Sequence, residues 1–171
     1  YPDNYFELAI VDPPYGIEEM TGKEFAHGRG KLKNRKFNKG ADKVNIWDKA
    51  PHKEYFNELF RVSKNQIIWG GNYFDLPLYR CPIAWDKCQP WENFSQIELA
   101  WTSFNKPESI VKIDNRTSDK IHPTQKPVAL YKWLLNKYGK EGDKILDTHL
   151  GSGSIAIACH DYGFELTACE L

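Results

Sequence analysis

Two stretches carry residue types that can do chemistry: Asp12-Pro13-Pro14-Tyr15-Gly16 near one end, and Leu150-Gly151-Ser152-Gly153 near the other. In the first, an acid that ends an apolar run is followed by two residues without an N–H. The Asp12 carboxylate can accept a hydrogen bond from a ligand amino group. Pro14 biases Pro13 towards extended angles and so fixes where the Pro13 carbonyl points. Two acceptors are thereby aimed at one NH2 group. Tyr15 adds a flat face on which a base can stack, an interaction worth ~1–3 kcal/mol per base. Such an array suits methylation of an exocyclic amino group, whose nitrogen lone pair is delocalised and poorly nucleophilic. Holding both hydrogens favours a pyramidal nitrogen and sets negative charge where positive charge develops.

The second stretch, "LDTHLGSGSIA", reads as strand, tight turn and helix start. Gly151 and Gly153 permit backbone angles and a close ligand approach that a Cβ would block. Glu170 follows Gly151 by 19 residues, at the end of the next apolar run. A carboxylate at that spacing can accept from both hydroxyls of a ribose. Two cofactors fit. A nicotinamide dinucleotide is one, because Gly151, Gly153 and Ala156 satisfy G-x-G-x-x-G/A; S-adenosylmethionine is the other, needing the glycines only for close approach. A Walker-type phosphate loop is excluded, since no Gly-Lys-Ser/Thr follows.

The elements that would position these residues alternate along the chain. Phe6–Val11 is a short apolar run of buried-strand length. Pro51 suits a first helical turn, with Tyr55, Phe56, Leu59 and Phe60 on one face. Gln66–Trp69 is a second strand, closed by Gly70-Gly71-Asn72, and "PIAWDK" and "SQIELAWTS" are two more. Pro127 opens a helix with Leu130, Tyr131, Leu134, Leu135 and Tyr138 at helical spacing, closed by Gly139. Lys144–Asp147 is a strand ending on an acid; a helix capped at Gly163 and a last strand, "FELTACEL", complete the chain. This alternation predicts an α/β fold with a doubly wound, mostly parallel sheet. Ligands bind such sheets at the carboxyl ends of the strands, where Asp12 and Asp147 fall.

With 171 residues and 41% hydrophobic content, the chain suits a single domain over 1–171. It opens on Tyr1 and stops directly after a strand-like run, so both ends read as trimmed relative to the gene product. No apolar run approaches the ~20 residues of a membrane span. Cys81, Cys88, Cys159 and Cys169 form no C-x-x-C pair and no zinc spacing with histidine, which points to reduced thiols in an intracellular protein and to no metal site. Formal charge is balanced, 23 basic against 23 acidic residues, but unevenly distributed. Within the basic loop at 21–45, Lys23 to Lys43 holds eight Lys/Arg against Glu24 and Asp42.

Three blocks, "DPPYG", "HPTQKP" and "ILDTHLGSGS", resemble the signatures of amino-methyltransferases acting on DNA, in the order of the permuted β-class. The resemblance covers nearly the whole chain. It implies a Rossmann-like methyltransferase sheet with an antiparallel strand near one edge, and S-adenosylmethionine as cofactor. Asp12, Pro13, Pro14 and Tyr15 would hold a flipped base. Asp147, Gly151, Ser152 and Gly153 would cradle the methionine part of the cofactor and Glu170 its ribose, with Thr124 and Lys126 contributing at the methionine end. A leading Asp favours adenine over cytosine. His149 stands where the family usually has Phe and is assigned no role. Lys31, Lys33, Arg35, Lys36 and Lys39 are the candidates to hold DNA phosphates, and Trp47 and Trp91 to stack on bases. The target-recognition candidates are the basic loop and "TSFNKPESIVKIDNRTSD". The expected partner is DNA, with no membrane; a homodimer is compatible with the sequence.

Three other readings stand beside adenine methylation: cytosine-N4 methylation, an NAD-dependent oxidoreductase, and a catalytically dead nucleic-acid-binding subunit. The oxidoreductase needs a substrate-holding half after the glycine loop, whereas here the loop arrives at the end. It also leaves Asp12 to Tyr15 unexplained. The dead subunit is at odds with the intact Asp12, Gly151, Gly153 and Glu170.

Overall fold

The computed structural model describes residues 1–17, 48–90, 95–116 and 125–170. The basic loop, Trp47, Trp91 and Thr124 lie outside the described residues. The strands are β1 (Phe6–Val11), β2 (Ser63–Trp69), β3 (Ile83–Asp86), β4 (Ile97–Thr102), β5 (Ser109–Lys112), β6 (Lys144–Asp147) and β7 (Glu165–Ala168). The helices are α1 (Lys53–Val62), α2 (Val128–Tyr138) and α3 (Ser154–Tyr162). All seven strands form one sheet in the order β5-β3-β4-β2-β1-β6-β7. β2, β1, β6 and β7 are parallel, as are β3 and β5, while β4 runs against both of its neighbours. The antiparallel strand expected near one edge is β4, third from that edge.

Both faces of the sheet are covered, which is why its central strands are apolar throughout rather than alternating. Leu8 and Ile10 of β1, with Ile67 and Trp69 of β2, pack in the cluster that holds Leu130, Leu134 and Leu135 of α2 and Ile155 and Ala158 of α3. Ala9, Val11 and Ile68 point the other way, to Phe56, Leu59 and Val62 of α1. The helical spacings read in α1 and α2 are therefore their core faces.

Two details differ from the sequence reading. Ser109–Lys112, inside the segment taken for a target-recognition candidate, forms the edge strand β5 beside β3. Gly139 does end α2, but with φ −79° and not in the left-handed region. A Cβ there would meet the Leu135 carbonyl oxygen at 2.8 Å and the Phe164 ring at 2.9 Å, so the residue is glycine to admit Phe164. The end of α3 does use the left-handed conformation: Gly163 has φ +73°, and the next amide, Phe164, bonds back to the Cys159 carbonyl at 2.9 Å.

From β1 the chain moves outward through β2 and the strands beyond it, then returns to lay β6 and β7 on the other side of β1. The strand order thus reverses between β1 and β6. That switch point is where a sheet of this kind leaves a crevice outside its carboxyl ends.

Candidate active site

Asp12 follows β1 directly and Asp147 is the last residue of β6, and these two strands are neighbours with Ala9 opposite Leu146. Residues 135 positions apart in sequence therefore share one edge of the sheet. β4, running the opposite way, brings its first residues to the same edge, and among them is Glu98.

Asp12, Tyr15, Glu98, Lys126 and Lys87 make one polar cluster. Lys126 Nζ lies 2.5 Å from Asp12 Oδ2 and 2.6 Å from Glu98 Oε1. The Tyr15 hydroxyl lies 2.7 Å from Asp12 Oδ1 and 2.6 Å from Glu98 Oε1. It carries one proton and so donates to one carboxylate at a time. Lys87 Nζ closes the cluster at 2.7 Å from Glu98 Oε2. Two carboxylates face two ammonium groups, so the charge is balanced inside the cluster. Burial opposes the charge on Lys126, yet the fields of Asp12 and Glu98 outweigh it and raise the lysine pKa. Burial likewise pushes Glu98 up, and Lys126 and Lys87 overcome it, holding the carboxyl at about 2. Burial first, then the two carboxylates, lift the Tyr15 hydroxyl well above its ordinary range. It stays a neutral donor.

Tyr15 is held from several sides. Its ring stacks on Tyr73 at 5.1 Å and 19°, with Phe74 edge-on at 6.2 Å. Gly70, the turn residue after β2, has φ +68°, and a Cβ on it would come within 2.2 Å of the Tyr15 ring. The turn must be glycine both for its backbone and for the tyrosine.

On the β6 side, the Asp147 carboxylate accepts the His149 amide at 2.9 Å, and the Gly151 amide donates to Glu170 Oε2 at 2.6 Å. Gly151 and Gly153 have φ of +53° and +76°. Among the described residues, nothing beyond the adjoining chain lies within 4 Å of a Cβ built on Gly153. The glycines serve the turn's backbone angles, and no described side chain fills the space above Gly153. The exposed Glu170 carboxylate suits ribose hydroxyls, so the loop fits a nucleoside cofactor. Burial lifts the Asp147 carboxyl to about 7, with Asp12 and Glu170 adding to the rise against the His149 amide. His149 packs edge-on against Tyr55 at 5.5 Å, with Nδ1 3.0 Å from the Thr148 hydroxyl. Burial depresses its pKa, which keeps the ring neutral.

The "HPTQKP" block joins the two halves. Gln125 Nε2 reaches Ser154 Oγ at 3.4 Å, at the start of α3, while the next side chain, Lys126, sits on Asp12 and Glu98. The structure thus gathers Asp12, Pro13, Pro14, Tyr15 and Lys126 beside Asp147, Gly151, Ser152, Gly153 and Glu170. Thr124 and the five loop cations lie outside the described residues. Sequence reasoning missed Glu98 and Lys87. The available signal was an acid inside the otherwise apolar strand "IELAWT". A groove of about 320 Å³ lined by Phe60, Leu78, Tyr79, Arg80 and Trp101 contains no acid, and is no rival site for this chemistry.

A mostly parallel sheet crossed by one antiparallel strand thus carries an acid-proline-proline-tyrosine turn beside a glycine loop. The family model N6_N4_Mtase, DNA methylase, matches residues 31–171, and the chain belongs to that family. A 40-residue segment is 48% identical to the type II methyltransferase M.HpaI of Haemophilus parainfluenzae, covering 23% of this chain and only 13% of that protein. The fold is similar to that of the M1.HpyAVI–SAM complex, with TM-score 0.58 and 17% identity over 98% of this chain and 83% of the other. It is also similar to the PvuII DNA methyltransferase, which is cytosine-N4-specific, with TM-score 0.64 and 10% identity over 100% of this chain and 77% of the other. The TTHA0409 protein of Thermus thermophilus, complexed with S-adenosyl-L-methionine, gives 0.55 and 19% over 100% and 82%.

Proposed function

We propose that this chain transfers a methyl group from S-adenosylmethionine to the exocyclic amino group of an adenine flipped out of DNA. The observation that carries the reading is the adjacency of β1 and β6, which sets the Asp12 acceptor array beside the glycine loop. Family membership supplies the reaction class, and the leading Asp of the motif favours adenine.

Asp147, Gly151, Ser152, Gly153 and Glu170 would hold the cofactor, with Thr124 assisting at its methionine end. When bound, S-adenosylmethionine supplies an electrophilic sulfonium methyl whose departure needs no general acid. The chain's own residues do the rest. Asp12 and the Pro13 carbonyl accept the two amino hydrogens, direct the nitrogen lone pair and offset the positive charge that builds on nitrogen. Alignment of this kind contributes ~7–11 kcal/mol to lowering a barrier. Asp12 then takes up the proton that the methylated nitrogen sheds. A base inside a duplex cannot reach Asp12, so it must be flipped out at a cost of a few kcal/mol. Lys31, Lys33, Arg35, Lys36 and Lys39 would hold the phosphates while it does.

The test is transfer of labelled methyl from S-adenosylmethionine to unmethylated DNA, with the product base identified. The expected product is N6-methyladenine; N4-methylcytosine would overturn the base assignment and leave the reaction standing. Asp12→Ala is expected to bind S-adenosylmethionine normally in calorimetry and to lose transfer by about 100-fold or more, the scale of one missing electrostatic partner. Transfer at the normal rate by that variant would remove Asp12 from the mechanism. Calorimetric binding of NAD in place of S-adenosylmethionine would favour the oxidoreductase.

A further inference from the structure

Lys126 is a strange neighbour for an acceptor whose task is to receive an amino group. Its side chain is only 4% exposed, and its Nζ lies 2.5 Å from Asp12 Oδ2, 2.6 Å from Glu98 Oε1 and 3.3 Å from the Tyr15 oxygen. An ammonium has three N–H groups, and here each has an acceptor. The walls around it are aromatic, with the rings of Trp69 and Tyr15 at 5.3 and 5.8 Å. Asp12 is the more open partner, at 25%. An amino group that takes the place of the lysine N–H on Asp12 Oδ2 displaces it.

That displaced donor needs a new acceptor, because a buried charged donor left unpaired is strongly unfavourable. Glu98 already serves Lys87 on Oε2 and Lys126 on Oε1, and shares the Tyr15 proton with Asp12. The base itself offers a less crowded acceptor. In adenine the unprotonated N1 adjoins the amino-bearing carbon, and in cytosine N3 does the same.

Resting on the functional reading above, we propose that Lys126 reads the target base, its ammonium donating to the ring nitrogen beside the amino group that Asp12 accepts. Asp12 and Lys126 form an acceptor–donor pair complementary to the donor–acceptor edge of an amino base. A thymine, or the N1 side of guanine, presents a ring N–H there and meets the ammonium head-on. Glu98 is the positioning residue that anchors Lys126 through the exchange. A donor on the ring nitrogen draws the amino lone pair further into the ring, so the contact assists binding and not the chemical step, and its loss raises KM without lowering kcat.

The experiment uses a duplex carrying the methylation site mapped for the wild-type chain, with the target adenine replaced by 1-deazaadenine, in which N1 is CH. For a mapped cytosine, 3-deazacytosine takes its place. The wild type is expected to show KM raised on the order of 10-fold to 100-fold by the deaza base, with kcat not lowered. Weaker pairing of the deaza base makes flipping easier, so pairing cannot produce that rise. Lys126→Met is expected to show the same KM for both duplexes and unaltered S-adenosylmethionine affinity, and Glu98→Gln a reduced discrimination. A wild type that methylates both duplexes with equal KM overturns the proposal without recourse to any variant. So does Lys126→Met with the full penalty retained, or with reduced cofactor affinity. A wild type for which no methylated site can be mapped instead defeats the functional reading itself.

Discussion

Burial, with the charges of Asp12 and Glu170, keeps the Asp147 carboxyl at about 7, far above the ordinary aspartate value near ~3.9. The folded chain therefore binds a proton that the unfolded chain has released between those two values. The sign follows: stability contributed by this group is greatest below pH ~4 and is lost as pH rises towards 7. Above that, the native state holds a buried carboxylate it would do better without. Asp147→Asn keeps an oxygen for the His149 amide, which lies 2.9 Å from Oδ1, and removes the charge. We expect the variant to melt roughly 2–8 °C higher than wild type at about pH 8, with the gap shrinking towards about pH 5. Its affinity for S-adenosylmethionine should fall at least about 10-fold, the trade expected when a destabilising group is functional. Differential scanning calorimetry across pH, with titration calorimetry on the same samples, measures both. A variant that gains no stability and binds as wild type would deprive Asp147 of the assigned role.

At the scale of the element, the turn after β2 carries more function than its three short residues suggest. Gly70 donates to the Leu99 carbonyl at 2.8 Å and receives the Tyr73 amide at 2.8 Å, so it ties β2 to β4 and to the residue stacked on Tyr15. Gly70→Ala places a methyl where the Tyr15 ring now lies and forces a residue with a Cβ into the left-handed region, at ~1–2 kcal/mol. The expected result is a stability loss of about 1–3 kcal/mol in urea. Methyl transfer should drop at least about 10-fold with cofactor affinity unchanged, since Tyr15 is displaced and not removed, and the loss stays below the roughly 100-fold of a missing electrostatic partner. Transfer within about twofold of wild type would mean that the Tyr15 position is not critical. The sequence reading reached the elements on either side of this turn because each had a local signature. α2 announced itself by Leu130, Leu134 and Leu135 at helical spacing; β1 and β6 were apolar runs that stop on an acid. β5 had no such signature, being four residues with Ile110 turned to solvent. Nor could local pattern find the cluster around Lys126, whose bonds to Glu98 and Asp12 join residues 28 and 114 positions apart. Those distances close only once β4 is known to run antiparallel, a fact of topology and not of periodicity.

Over the whole molecule the charges sum to zero, but Lys23 to Lys43 holds a surplus of six positive charges and the remainder a matching deficit. At the sheet edge, Asp12 belongs to the cluster around Lys126 that is neutralised internally, Asp147 is buried with its carboxyl at about 7, and Glu170 is an exposed acid. Among the described residues this edge therefore offers a phosphate backbone no surplus of positive charge. If DNA is to bring a base to Asp12, its backbone must be held by cations elsewhere, and the chain concentrates them in the stretch that follows the Asp12 motif. Replacing Lys31, Lys33, Arg35, Lys36 and Lys39 together by glutamine removes five of them. Each phosphate no longer neutralised should flatten the slope of log affinity against log salt by about 0.9, so the full set can remove at most about 4–5 units of slope. Binding of a fluorescent duplex, followed by anisotropy from about 50 to 200 mM salt, is expected to be weakest relative to wild type at the low-salt end, where the released counterions matter most. Cofactor affinity should not move, because none of the five is assigned to the cofactor. Parallel salt plots for the two proteins would show that these lysines and this arginine do not touch the phosphates, and that the protein holds DNA by some other surface.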